Sequence, residues 1–230
     1  MTQHSLQNHI AKLRLRLRQS AEKYDRSESD ILLLAVSKTR PARDIREAYA
    51  CGLQHFGESY LQEACSKMDE LADLPVTWHF IGPIQSNKTR AIAERFQWVH
   101  SVDREKIARR LNEHRPSQRP PLDVCLQVNT SGESSKSGIA VDELPRLAAA
   151  VDALPMLRLR GLMAIPAASD KVAEQHAAFA HLRAIFESLQ ERYPQMDTLS
   201  MGMSGDMDAA IAEGSTLLRI GTAIFGPREG

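Results

Sequence analysis

The sequence predicts an α/β fold, a closed (β/α)8 TIM barrel with one extra N-terminal helix, and three observations carry that prediction. From residue 31 onward, short β-rich runs alternate with helical patterns, as βαβ units around a parallel sheet do. A length of 230 residues matches one such barrel and is long for two ordinary domains. Polar side chains and glycines gather at the C-terminal ends of the β-rich runs, the rim on which barrels build their sites.

Taken in order, residues 1–25 place Leu6, Ile10, Leu13 and Leu17 at helical spacing. That predicts a covering helix whose Lys12, Arg14, Arg16 and Arg18 form a solvated face rather than a binding arm. The first strand, 31–38, ends in Ser37-Lys38-Thr39, and a helix over 42–50 follows, stopped by Gly52 in a left-handed cap. The second strand, 55–58, ends in Gly57-Glu58-Ser59 and leads to a helix over 60–71. The third, 77–82, ends in Gly82-Pro83; Ser86-Asn87-Lys88 then opens a helix over 88–96. A fourth strand over 98–102 precedes a helix over 104–114. The fifth, 122–129, runs through Asn129-Thr130 into a polar loop over 131–138 and a helix over 142–154. The sixth, 157–165, precedes a helix over 171–192 that Pro194 forbids to continue. The seventh, 198–203, ends in Met203-Ser204-Gly205 before a helix over 206–213 capped by Gly214, and the eighth, 217–225, carries Arg219, Gly221 and Thr222. No linker or low-complexity stretch divides the chain, so a single domain over 1–230 is expected.

Composition narrows the function by exclusion. Hydrophobic residues at 43% and charged residues at 25% are those of an average globular chain. Twenty-nine basic against 29 acidic residues leave no net field to draw nucleic acid or anionic lipid. The longest apolar run, 31–36, is too short to span a bilayer, and the N-terminus lacks a signal-peptide pattern. Cys51, Cys65 and Cys125 are odd in number and lack metal or redox spacing, so a reducing cytoplasm is expected.

The residues with chemistry lie at the strand ends. Lys38 closes an apolar run, which predicts an ammonium at the mouth of a hydrophobic barrel, where lost hydration and nearby cations favour the neutral amine that attacks an aldehyde. A lysine that snorkels or pairs with a carboxylate is the alternative. Met203-Ser204-Gly205-Asp206 at a helix start, with Gly221-Thr222 on the last strand, outlines a phosphate site of the kind barrels build after strands seven and eight. Ser204 and Asp206 also read as plain N-caps. Arg219 shares a strand face with Gly221 and, if buried, needs an acceptor, by default a salt bridge. His79 reads as a ring-packing core residue, and the histidines show no metal-binding spacing.

In sequence order, Ala35-Val36-Ser37-Lys38-Thr39, His55-Phe56-Gly57-Glu58, His79-Phe80-Ile81-Gly82-Pro83 continuing to Lys88, Ser135-Lys136-Ser137-Gly138, Gly161-Leu162-Met163-Ala164-Ile165-Pro166, Leu199-Ser200-Met201-Gly202-Met203-Ser204, and Arg219-Ile220-Gly221-Thr222 continuing to Gly226 resemble the pyridoxal phosphate (PLP) homeostasis protein family, also called the YggS/PROSC family. The strings span nearly the whole chain. The resemblance implies a barrel of the alanine racemase N-terminal domain type that binds pyridoxal 5′-phosphate as a Schiff base on Lys38. It further implies that Arg219 faces an unprotonated pyridine nitrogen, that Ser204, Gly221 and Thr222 hold the phosphate, and that the protein is a monomer. Ser59, where the family usually has asparagine, and Gly205, where a polar residue is common, depart from the pattern.

A racemase needs a second acid/base on the far face of the cofactor, and in racemases similar to this barrel a further C-terminal domain supplies it as a tyrosine. The sequence ends at Gly230, and of Tyr24, Tyr49, Tyr60 and Tyr193 only Tyr60 follows a strand end closely. An arginine against the pyridine nitrogen also weakens the ring as an electron sink. The expectation is a non-catalytic PLP carrier in intracellular PLP homeostasis, with PLP-dependent apo-enzymes as recipients. A slow amino-acid racemase is the alternative, and a Schiff-base aldolase acting on a sugar phosphate is a third reading. Lys136 in the loop 131–138 is a further candidate contact.

Overall fold

A computed structural model describes residues 3–131 and 137–227, with side chains from Ser5 onward. Eight parallel strands close into a barrel in chain order: β1 Leu32–Val36, β2 His55–Glu58, β3 Thr77–Phe80, β4 Trp98–Val102, β5 Leu122–Gln127, β6 Leu157–Met163, β7 Thr198–Ser200 and β8 Leu217–Ile220. The seam joins β1 to β8, with Leu32 opposite Leu217 and Ala35 opposite Ile220. Around it run α1 Gln3–Lys23, α2 Ala42–Ala50, α3 Leu61–Glu70, α4 Thr89–Arg95, α5 Glu105–His114, α6 Leu144–Asp152, α7 Val172–Gln190, α8 Met207–Ala212 and α9 Thr222–Phe225. Among the described residues no helix is long and apolar enough to cross a membrane.

The main core lies between the sheet and the helices, because each helix carries an apolar stripe at 3.6-residue spacing. Ile45 and Ala48 of α2, Ile107, Ala108 and Leu111 of α5, and Leu182 and Phe186 of α7 are buried in this way. The barrel interior is different. Branched aliphatic side chains usually fill it in layers, yet here Trp98, Cys125 and Met163 form a small separate cluster. Beside it His79, His100, Ser200 and Arg219 are buried, and polar groups in such a place must satisfy one another.

The predicted caps are present: Gly52 and Gly214 adopt φ of 85° and 90°. The N-terminal helix buries Leu6, Ile10, Leu13 and Leu17 as expected. Its basic face is not merely solvated, however. Arg14 donates to the Gly52 carbonyl at 3.2 Å, Arg16 to the Ser204 carbonyl at 3.1 Å and Asp208 at 2.8 Å, and Arg18 to Glu28 at 3.2 Å. Several strands stop earlier than predicted, and the largest correction is at the end of the barrel. The expected strand over 217–225 ends at Ile220; Gly221 turns into a helical conformation, φ −114° and ψ −69°, and Thr222–Phe225 form α9.

Candidate functional site

A cavity of about 280 Å³ opens at the C-terminal rim across the seam. Lys38, Ser204, Arg219, Gly221 and Thr222 all line it, so the five residues singled out from sequence meet at one place. Val36, Met203, Gly205, Gly226 and Arg40 complete its wall.

Lys38 is half-buried two residues beyond β1, and the backbone on both sides of it is clamped. The Ser37 hydroxyl donates to Glu58 Oε1 at 2.6 Å, and Lys67 Nζ donates to the Ser37 carbonyl at 2.8 Å. The Thr39 amide donates to Glu63 Oε1 at 2.6 Å, and Thr39 holds a left-handed φ of 66° that a β-branched residue rarely adopts. Lys67 also bridges Glu58 at 2.8 Å and Glu63 at 2.5 Å. Burial pushes the Glu58 carboxyl up from its ordinary range, against the lowering effect of Lys67, and among the described residues its Oε2 has no hydrogen-bond partner. This cluster fixes where the lysine leaves the chain. It was missed at the sequence level, although Lys67 stands beside Ala64 and Met68 on the buried face of α3, a position where a lysine needs a partner.

Arg219 is 5% exposed. Burial lowers its guanidinium to about 10, so it stays charged at neutral pH. Instead of a salt bridge, Nη1 donates to the Ser200 carbonyl and to Ser200 Oγ, and Nη2 donates to the Ala164 carbonyl. Three of its five N–H groups are thereby committed to the barrel.

At the other end, Ser204 Oγ accepts from the Ala223 amide at 3.4 Å, which ties the loop after β7 to the first turn of α9. Asp206 stands at the N-cap of α8, but its carboxylate accepts from the Met203 amide at 2.6 Å instead of capping the helix by its side chain. A Cβ on Gly221 would lie 3.2 Å from the Val36 carbonyl oxygen, so glycine permits the close approach of the β8 turn to β1. Gly205 has open space around it. Arg40 was also missed: it donates to the carbonyls of Gly226 and Pro227, both at 2.6 Å, and so fastens the chain after α9 to the chain after β1.

Other candidates do not join this cavity. Tyr60, just before α3, is 55% exposed, and neither it nor Ser59 lines the wall. The segment Ser86–Lys88 forms a 3-10 turn before α4, away from that wall. Lys136 lies outside the described residues. His79 packs its ring against Trp98, centroids 5.4 Å apart and 12° from parallel. Among the described residues no group of three or more His, Cys, Asp or Glu is placed to hold a metal ion.

Residues 10–229 match the family described as alanine racemase, N-terminal domain. The chain is 62% identical over 225 residues to the pyridoxal phosphate homeostasis protein of Pseudomonas aeruginosa, covering 98% of this chain and 96% of that one. With the protein of the same name from Escherichia coli it shares 52% identity, covering 96% of each. The structure of PipY from Synechococcus elongatus with PLP bound is 40% identical, with a TM-score of 0.81 over 96% of this chain and 100% of that one. An alanine racemase from Corynebacterium glutamicum, at 17% identity and a TM-score of 0.72, shares the fold and covers 96% of this chain but 62% of its own. A rim cavity that unites a lysine, an arginine and a serine–glycine–threonine cradle, on a chain this close to those relatives over nearly its whole length, places the protein in the pyridoxal phosphate homeostasis family, built on the alanine racemase N-terminal domain.

Proposed function

We propose that this chain is a single-domain, monomeric, cytoplasmic protein of PLP homeostasis that holds pyridoxal 5′-phosphate reversibly and does not catalyse with it. The observation that carries the reading is the convergence of Lys38, Arg219, Ser204, Gly221 and Thr222 on one cavity. At about 280 Å³ it lies near the lower bound of roughly 300 Å³ for small-molecule sites, which suits a single ring with one phosphate. In this reading Lys38 captures the aldehyde as a Schiff base, Arg219 faces the pyridine nitrogen, and the Ser204 and Gly221–Thr222 turns receive the phosphate. When bound, the pyridoxal aldehyde supplies an electrophile that a neutral lysine amine takes up and releases.

The residues present fit that group. Gly221 leaves a cradle that a Cβ would fill against Val36, and the committed donors of Arg219 hold its plane fixed beside the cavity. Charge-assisted bonds to a phosphate each contribute roughly 1.5–3 kcal/mol, so a few retain the ligand even without the covalent link. The non-catalytic reading is supported by the position of Tyr60, which is exposed and outside the cavity wall. Recipients would be PLP-dependent apo-enzymes.

Borohydride reduction of the purified protein followed by peptide mapping tests the anchor: the modified residue is expected to be Lys38, and modification of another lysine would overturn the assignment. Incubation of the loaded protein with single-enantiomer amino acids in deuterated water tests the absence of catalysis. Exchange of the α-proton over many turnovers would establish a racemase instead. Arg219→Ala is expected to weaken or misorient binding, and an unchanged visible spectrum with unchanged affinity would remove Arg219 from the site.

A further inference from the structure

A row of hydrogen-bonded side chains crosses the barrel interior from Arg219 to the opposite rim. Arg219 Nη1 lies 2.8 Å from Ser200 Oγ, which lies 2.8 Å from His100 Nδ1. His100 Nε2 lies 2.9 Å from His79 Nδ1, and His79 Nε2 lies 3.0 Å from His55 Nδ1. Ser200, His100 and His79 are wholly buried, while His55, the first residue of β2, is half-buried and lines a surface cleft with Arg14 and Glu28. The row therefore links β8 and β7 through the interior to β4, β3 and β2.

Each nitrogen pair taken alone leaves donor and acceptor open, but burial of the row favours one sense. A guanidinium only donates, so Ser200 Oγ accepts from Arg219, and its single proton then has His100 Nδ1 to go to. Burial holds the His100 ring far below its ordinary range, at about 3, so at neutral pH it carries one proton. With Ser200 donating to Nδ1, that proton belongs on Nε2, within 2.9 Å of His79 Nδ1 as its acceptor. His79, also shifted well down by burial, repeats the step toward His55 Nδ1. Ser200 Oγ has two lone pairs, so Arg219 alone does not fix the rings; this sense is selected because it gives the buried Ser200 proton an acceptor. The opposite sense would turn His100 Nδ1–H toward an oxygen that Arg219 already uses and leave the Ser200 proton without this acceptor.

We propose that Ser200, His100, His79 and His55 are positioning residues for Arg219, a polarised row that keeps Ser200 Oγ an acceptor and so holds the guanidinium plane toward the cavity. The histidines thus act through Arg219 and do not themselves touch a ligand.

The first test uses the full chain without added ligand. Long-range 15N–1H NMR of the histidine rings near neutral pH is expected to show His55, His79 and His100 neutral with the proton on Nε2. A proton on Nδ1 of His100 or His79, or a mixture of tautomers, overturns the proposal. The second test rests on the PLP reading and compares Ser200→Ala with Ser200→Thr, which keeps the hydroxyl. Ser200→Ala is expected to mix the His100 tautomer, shift the absorption of bound PLP and weaken PLP binding by about tenfold, the effect of one lost hydrogen bond. Ser200→Thr is expected to restore all three. Unchanged tautomers, spectrum and affinity in Ser200→Ala overturn the positioning role. Failure of the unaltered protein to take up PLP would instead defeat the ligand reading, while the NMR result on the unloaded chain stands by itself.

Discussion

Acid should destabilise this barrel, and the contribution of one buried ring can be worked out. His100 is wholly buried, and its ring protonates at about 3 in the folded chain against 6.5 for an ordinary histidine. Between those values the unfolded chain holds more protons than the folded one, so stability falls as pH falls. The loss begins as pH drops through the unfolded value and levels off only near the folded one. Integrated from about pH 7 to about pH 5, a ring that stays neutral when folded loses about 2 kcal/mol of stability. His79, shifted well down by the same burial and by the neighbouring His100 and His55, adds a loss of the same sign. Urea unfolding at the two pH values, in the unaltered chain and in His100→Gln, reads the contribution directly. Glutamine keeps a donor and an acceptor but does not titrate, so the variant is expected to start less stable at neutral pH and then lose about 2 kcal/mol less on acidification. Equal losses with unchanged m-values would show that His100 takes up its proton within the folded barrel, and the argument from burial would fail.

Four further outcomes are expected. Lys38→Ala should abolish the yellow absorption of the PLP-loaded protein while leaving residual, phosphate-dependent affinity; persistence of the colour, read by visible spectroscopy, would place the anchor elsewhere. Lys67→Met should destabilise the chain by about 3–5 kcal/mol, because it strands the buried Glu58 carboxylate, and adding Glu58→Gln should recover much of the loss in urea melts. Gly161→Ala places a Cβ 1.7 Å from the Thr198 carbonyl oxygen; forcing β6 from β7 should cost about 3 kcal/mol or more, visible as a fall in Tm. By contrast Arg16→Ala removes a half-exposed pair with Asp208 and should change stability by no more than about 1 kcal/mol.

The sequence made much of this legible because periodicity and strand-end chemistry are local signals. The strands over 55–58 and 98–102 and the helix over 42–50 coincide with β2, β4 and α2. The overshoot at 217–225 has a physical cause: Ala223-Ile224-Phe225 is an apolar run too short for its period to separate strand from helix. Lys38, Ser204, Arg219, Gly221 and Thr222 could be picked out because rim positions follow directly from strand ends. The clamp around Ser37 and Thr39 and the row through His79 and His100 were not legible, since their members sit on different strands and helices and meet only after closure. A lone histidine in a strand carries no mark of the ring it will face.

The cavity straddles the junction where β1 meets β8, with Lys38 coming from one side and Arg219, Gly221 and Thr222 from the other. During synthesis the two halves are separated by nearly the full length of chain, so the pocket cannot exist until the last strand has docked on the first. This is the most non-local pairing in the sheet and the costliest in chain entropy to bring together. A molecule that binds across it stabilises the folded state by RT ln(1 + [L]/Kd), and it does so at the joint the polymer finds hardest to close. Cofactor uptake then doubles as a latch on the cylinder, fastening its first strand to its last.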